Sequence, residues 1–206
     1  MKTKYQIQFE KDHSAMKYYL IGMQYHTALK AMGFAAQYHT GFRKNGVTPE
    51  FHHQIRIAFT ILGLKGLVNE QECLALAFLH DTPEDYKVPF STLKEKFGES
   101  IAQKAFILDK STHVDSATYF AACSECPSCS IVKGSDNIDN IQSMHGAFTP
   151  EKIESYIKRT KTDILPMLKL ASNFTPSQAI AYQVLRNTLK NQIALYEALQ
   201  QKDTIQ

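Results

Sequence analysis

The stretch Glu72-Cys-Leu-Ala-Leu-Ala-Phe-Leu-His80-Asp81-Thr-Pro-Glu84-Asp85 joins an apolar run to four side chains that can do chemistry. Leu74, Leu76, Ala77, Phe78 and Leu79 cover most directions around a helix, which predicts a buried element. A His-Asp pair at the end of a buried helix is costly unless something compensates it. A divalent metal would do so, since a neutral imidazole and an ionised carboxylate are both ligands. Taken alone, the pair is more simply an ion pair or a helix-end cap, and a metal reading depends on which other residues could join it.

Three groups could. His52-His53 lies upstream; His52 shares a helical face with Ile55 and Phe59, and His53 with Arg56, Ile57 and Thr60. The residue types alone do not choose between the two histidines. Downstream, Lys133, Asp136 and Asn140 recur about one helical turn apart between Ile131, Val132, Ile138 and Ile141, the pattern of a polar row facing inward. Arg43 and Lys44 sit in a loop flanked by Gly41 and Gly46, and paired cations there suit phosphate.

The elements that must position these residues read as helices. Tyr5, Ile7 and Phe9 alternate with polar residues in Met1 to Lys11, which fits a short strand or an extended arm. A helical pattern follows from Ser14 to about Tyr38, with Gly22 and Gly33 as weak points. Thr48-Pro49-Glu50 predicts a helix start, with Thr as N-cap and Pro in the first position, ending at Gly63. The helix leading to His80-Asp81 is expected over about Asn69 to Asp81. Ser91 should cap a brief helix to Phe97-Gly98, and Glu99 to about Asp109 forms another. Asp115 or Ser116 caps the next, to about Ser124, and Pro127 opens one reaching Met144. Two long helices close the chain. Thr149-Pro150-Glu151 starts the first, which runs to about Ala171 with a kink at Pro166, and Thr175-Pro-Ser-Gln178 is read as a capping box for the second.

The chain is 206 residues, 44% hydrophobic and 21% charged, enough for one well-packed globular domain. A net charge of +3 makes no case for nucleic acid. No run is long enough to span a membrane, and Met1-Lys2-Thr3-Lys4 is not followed by the apolar core of a signal peptide, so a cytoplasmic protein is expected. Cys123, Cys126 and Cys129 form a C-x2-C-x2-C run. No fourth ligand is near it except His113, so free thiols are expected over a zinc or iron–sulfur site. The expectation is an all-α single domain over residues 1–206.

The order His53, His80-Asp81, Asp136 resembles the HD superfamily of metal-dependent phosphohydrolases, in which these residue types on three helices bind one divalent metal. More narrowly, His39-Thr-Gly41-Phe-Arg43-Lys44 with Gly46-Val-Thr48-Pro49, His80-Asp-Thr-Pro-Glu84-Asp85, Phe97-Gly98 and Lys133-Gly-Ser-Asp136-Asn-Ile-Asp-Asn140 resemble the hydrolase domain of RelA/SpoT-type alarmone enzymes. The resemblance covers about residues 25–145. It implies an HD-type helical bundle; the two C-terminal helices, about 149–201, lie outside the resemblance and are expected from their amphipathic spacing to pack on that core.

It further implies metal ligands His53, His80, Asp81 and Asp136. His53 is chosen over His52 because the family ligand stands four residues after the Pro matched by Pro49. Glu84 and Asp85 match the acidic pair that positions or deprotonates the attacking water. Arg43, Lys44 and Lys133 would face the nucleotide, and Asn140 its sugar. The implied ion is one Mn²⁺, with His113 and His145 the only later histidines for a second metal. The implied reaction removes pyrophosphate from the 3′ position of ppGpp, with (p)ppGpp as the nucleotide partner. The family's Arg after the third-motif Asp is Asn137 here, its His before the Asn is Asp139, and a common Val-Val-Glu-Asp is Thr82-Pro83-Glu84-Asp85. These departures bear on which nucleotide is bound. An HD phosphohydrolase on a 5′-nucleotide, a dNTP or an adenosine alarmone, and a catalytically silent nucleotide-binding regulator, are the alternatives. No synthetase domain is expected.

Overall fold

The computed structural model describes residues 2–144 and 147–203. Among them there is no β-strand, only an isolated bridge between Phe42 and Pro49. Twelve α-helices follow in order: α1 Lys4–Gly22, α2 His26–Ala35, α3 His52–Leu62, α4 Glu70–Leu79, α5 Thr82–Tyr86, α6 Phe90–Phe97, α7 Glu99–Leu108, α8 Ser116–Glu125, α9 Pro127–Ser143, α10 Pro150–Arg159, α11 Leu165–Phe174 and α12 Ala179–Asp203. The expected all-α architecture is the observed one.

The centre is α4. Asn69 caps it by accepting the N–H of Glu72, and every side chain from Cys73 to Leu79 is buried. It packs against α2, α3, α7 and α9, so it has no solvent face. Helix α9 crosses α3 and α4 on one side and receives α8, α11 and α12 on the other. Its Gly134 makes this close approach possible: a Cβ there would lie 3.0 Å from side-chain carbons of both Leu168 and Leu185.

Several expected boundaries move. The first residues are neither strand nor arm but the start of α1. Thr3 and Gln6 form a reciprocal capping box, which the alternation of Tyr5, Ile7 and Phe9 concealed. The Ser14–Tyr38 pattern is two helices, separated where Gln24 adopts a left-handed φ of 58° after Gly22. Thr48 does not cap α3. Its hydroxyl accepts from Asn45 Nδ2, and α3 starts at His52 after a turn in which Pro49 and Glu50 carbonyls accept from His52 and His53.

Helix α6 begins at Phe90, ahead of Ser91, with Pro89 in the capping position. Pro166 does not produce a simple kink; a π-helical turn over Thr160–Ile164 precedes it and links α10 to α11. Nor is Thr175-Gln178 a capping box. Thr175 makes no side-chain cap, and Gln178 is buried, accepting from Val68 N–H at 2.8 Å and donating to the Tyr182 hydroxyl at 3.0 Å.

No described helix is long and apolar enough to cross a membrane. His145 lies outside the described residues. His113 hydrogen-bonds the carbonyl of Ile107. Gly134→Val is expected to wedge α9 away from α11 and α12 and to cost about 1–3 kcal/mol. Thermal unfolding measures it, and an unchanged Tm would mean these three helices do not depend on close contact at this point.

Candidate metal centre and substrate cleft

Three helices deliver the polar residues to one point. The first turn of α3 carries His53, the C-terminal end of α4 carries His80 with Asp81 leading into α5, and the middle of α9 carries Asp136. Ligating atoms of His53, His80 and Asp136 all lie within 4.8 Å of one another. His53 Nε2 is 3.2 Å from Asp136 Oδ1, and His80 Nε2 is 3.0 Å from Asp81 Oδ1. Asp81 also reaches to 3.9 Å from His53 Nε2.

Both imidazoles have their other nitrogen occupied. His80 Nδ1 donates to the Ala77 carbonyl at 2.9 Å, and His53 Nδ1 donates to Asp139 Oδ2 at 2.6 Å. Each Nε2 is thereby left to face the cluster, and that of His80 is buried and, although 3.0 Å from Asp81 Oδ1, makes no aligned hydrogen bond. Two inward-facing imidazole nitrogens beside two carboxylates are the donor set of a divalent metal site.

The charges interlock. Lys133 Nζ donates to Asp136 Oδ2 at 2.8 Å, and Asn140 Nδ2 to Asp136 Oδ1 at 2.5 Å. Asp139 is clamped by Arg56 through Nε at 2.5 Å and Nη2 at 2.9 Å. Burial works against the charged forms of His53 and His80. Hydrogen bonds that His53 donates to Asp136 and Asp139 nevertheless raise its pKa, and Asp81 raises that of His80 to about 9. Burial likewise opposes ionisation of the acids. The imidazoles hold Asp81 down to about 2, and Lys133 with both imidazoles holds Asp136 well below the usual carboxylate range.

Beside the cluster a cleft of about 830 Å³ opens, lined among others by Arg43, Lys44, Asp85, Asn140, Phe148 and Lys152. That volume suits a small-molecule ligand. Arg43 Nη2 donates to Asn140 Oδ1 at 2.8 Å, tying the cleft wall to the residue that holds Asp136. Lys44 and Lys152 both lie over the Phe148 ring, at 5.1 and 4.7 Å. Lys152 beside it is the main reason the Lys44 pKa is lowered, and an anion between the two would relieve that repulsion.

Of the residues singled out in the sequence, His53, His80, Asp81 and Asp136 come together, and Lys133 and Asn140 contact Asp136. Arg43, Lys44 and Asp85 border the cleft. Glu84 does not join them: its Oε2 accepts the Lys110 N–H at 3.1 Å. Asp85, by contrast, has a raised pKa through burial and then the charges of Asp81 and Glu84. His52 turns away to Asp12 at 2.8 Å.

The two departures in the third motif also face elsewhere than the sequence suggested. Asn137 is buried against Thr160, donating at 2.9 Å, and Asp139 is the buried partner of His53. Asp139 and Arg56 were the functional residues missed. Each stands three residues after a candidate ligand, Asp136 or His53, and that shared spacing was the available signal.

Fold and site together define a helical domain with a buried His/Asp centre that Asn140 links to a cleft lined by several cations. No family model matches the chain. It is 28% identical over 126 residues to the guanosine-3′,5′-bis(diphosphate) 3′-pyrophosphohydrolase of Aquifex aeolicus, a match covering 56% of this chain and 17% of that protein. The chain thus spans about a sixth of the curated relative's length. Among solved structures it superposes with a TM-score of 0.64 at 20% identity, over 82% of this chain and 95% of the other, on a metazoan ortholog of SpoT described as hydrolysing ppGpp with a role in starvation responses. The chain shares the helical fold of that protein.

Two outcomes follow for a divalent ion at this centre. Asp139→Ala should weaken metal affinity about 10–100-fold by freeing the His53 ring; an affinity within twofold of wild type, by calorimetry, would contradict the pairing. Because both imidazoles carry raised pKa values, a metal must displace their protons. Affinity should therefore rise as pH is increased from about 6.5 towards 9, with proton release seen as a buffer-dependent heat. A pH-independent affinity would contradict it.

Proposed function

We propose that this protein is a Mn²⁺-dependent (p)ppGpp-type 3′-pyrophosphohydrolase. The observation that carries the reading is the buried group His53, His80 and Asp136, joined by Asp81, with a cationic cleft that reaches it through Asn140, the residue bound to Asp136. The names of the Aquifex relative and of the structural neighbour support the same substrate class.

His53, His80, Asp81 and Asp136 would hold the ion. When bound, such an ion lowers the pKa of a coordinated water and offsets charge developing on phosphorus. Arg43 and Lys44, with Lys152 beside them, would grip the phosphates, and Phe148 offers a ring face under the ammonium groups of the two lysines. Asn140 is held by Arg43 and in turn holds Asp136, so a sugar contact at Asn140 would orient the scissile bond against the centre.

Of the acidic pair, Asp85 is the better placed to take a proton from the attacking water. It borders the cleft, and its neighbours Asp81 and Glu84 favour its protonated form. Glu84 would serve by anchoring α5 to Lys110.

Incubation with ppGpp, ppApp, dNTPs and 5′-monophosphates in Mn²⁺ tests the assignment. Pyrophosphate release from a 3′-pyrophosphorylated nucleotide is expected; turnover of 5′-phosphorylated compounds alone would overturn it. Asp81→Ala should abolish metal binding and turnover. Asp85→Asn should keep the metal and lower kcat about 10²–10⁴-fold, with a smaller loss for Glu84→Gln. The reverse order would return the base to Glu84.

A further inference from the structure

The cysteine run has no part in the centre just described. It falls at the junction of α8 and α9, where Cys126-Pro127-Ser128-Cys129 straddles a helix N-terminus. Cys126 is the N-cap of α9, Pro127 occupies its first position, and the Sγ of Cys126 accepts the Cys129 N–H at 3.4 Å. Cys126 keeps 8% of its surface, next to exposed Glu125, whereas Cys129 keeps none and points its Sγ at the Lys104 carbonyl, 3.4 Å away.

The surroundings separate the two thiols. The Cys129 thiol, the amides of Cys129 and Ser128 and the charge of Lys104 outweigh burial and hold Cys126 down to about 7. Lys104 is kept in place by Glu72 at 2.7 Å, and the Ser128 hydroxyl bonds the same carboxylate. Burial raises Cys129 well above the usual thiol value. One ready thiolate and one protected thiol, three residues apart at a helix start, is the arrangement that dithiol chemistry requires.

The third cysteine does not complete a metal site. Cys123 is buried and directs its Sγ towards the Ile107 carbonyl at 3.9 Å. Among the described residues, the metal-ligating group is the histidine and aspartate cluster, not these thiols.

We propose that Cys126 and Cys129 form a reversible redox pair, converted to an intramolecular disulfide by a peroxide. The Cys126 thiolate attacks one peroxide oxygen; the O–O bond breaks, hydroxide leaves, and Cys126 becomes a sulfenic acid. The Cys129 sulfur then attacks the Cys126 sulfur and displaces its hydroxyl, which leaves as water with the Cys129 proton. The released hydroxide takes up the proton that Cys126 lost on ionising, so one peroxide removes two electrons and two protons from the pair and ends as two waters. A thiol reductant reverses the bond by exchange at the more exposed Cys126.

The test uses the full chain with the Cys123→Ser substitution, which leaves Cys126 and Cys129 as the two cysteines of their tryptic peptide. After hydrogen peroxide, blocking of free thiols and digestion, that peptide should have lost two hydrogens, and dithiothreitol should restore them. Cys73 should alkylate only after denaturation. In the native protein Cys126 should react with iodoacetamide about tenfold faster at pH 7 than an ordinary thiol, half-maximally near pH 7. Cys129→Ser, checked for native circular dichroism, should accumulate a dimedone adduct on Cys126. Peroxide that leaves both thiols reduced, or drives Cys126 to sulfonic acid with Cys129 intact, would overturn the proposal. Should a variant fail to fold, the same mapping on the wild-type chain decides, and a bridge to Cys123 would overturn it as well.

Discussion

Buried charge is the constraint on which the rest of this structure depends. Asp136 and Asp139 on one helix, and His53 and His80 on two others, are almost wholly withdrawn from water. Isolated, each ionised group would cost several kcal/mol, and the arrangement persists only because each is paired. Lys133 and Asn140 neutralise and bind Asp136, Arg56 clamps Asp139, and Asp139 fixes the His53 ring. What is left over after this pairing is informative: the Nε2 of His80, buried and without a hydrogen bond.

The fold serves this cluster by giving it walls without solvent. Helix α4 is apolar on every side, so its end can place His80 only in the interior, and the chain must then turn at Asp81 to reach α5. Helix α9 brings Asp136 opposite, and its close contact with α11 and α12 across Gly134 keeps that helix from drifting. The C-terminal helices therefore act on the centre through α9, although none of their residues enters it. At the cleft, Arg43 and Asn140 join the loop before α3 to α9, so the cleft wall and the helix that carries Asp136 share a hydrogen bond.

Much of this was legible in the residues. The all-round apolar run of α4, the His80-Asp81 pair at its end and the polar row Lys133, Asp136, Asn140 all mark positions by helical spacing, and spacing survives folding. Long-range pairing does not show in spacing. Asp139 reads as an odd residue beside a substrate position until it meets His53 across the interior, and Arg56 reads as a surface cation until it meets Asp139. Glu84 and Asp85 are adjacent, and only the turn of α5 decides that one reaches Lys110 and the other borders the cleft. The expected caps at Thr48 and Gln178 fail for one reason: both are the right residue types, but other partners, the nearby Asn45 for one and the distant Val68 with Tyr182 for the other, claim their side chains first.

The central claim is that four side chains on three helices hold one divalent ion. Crystals grown with Mn²⁺ and measured at the manganese absorption edge test it most directly. The account predicts a single anomalous peak about 2 Å from the Nε2 atoms of His53 and His80, with carboxylate oxygens of Asp81 and Asp136 in its coordination shell. A peak at another place, or none at a concentration that supports turnover, would contradict it.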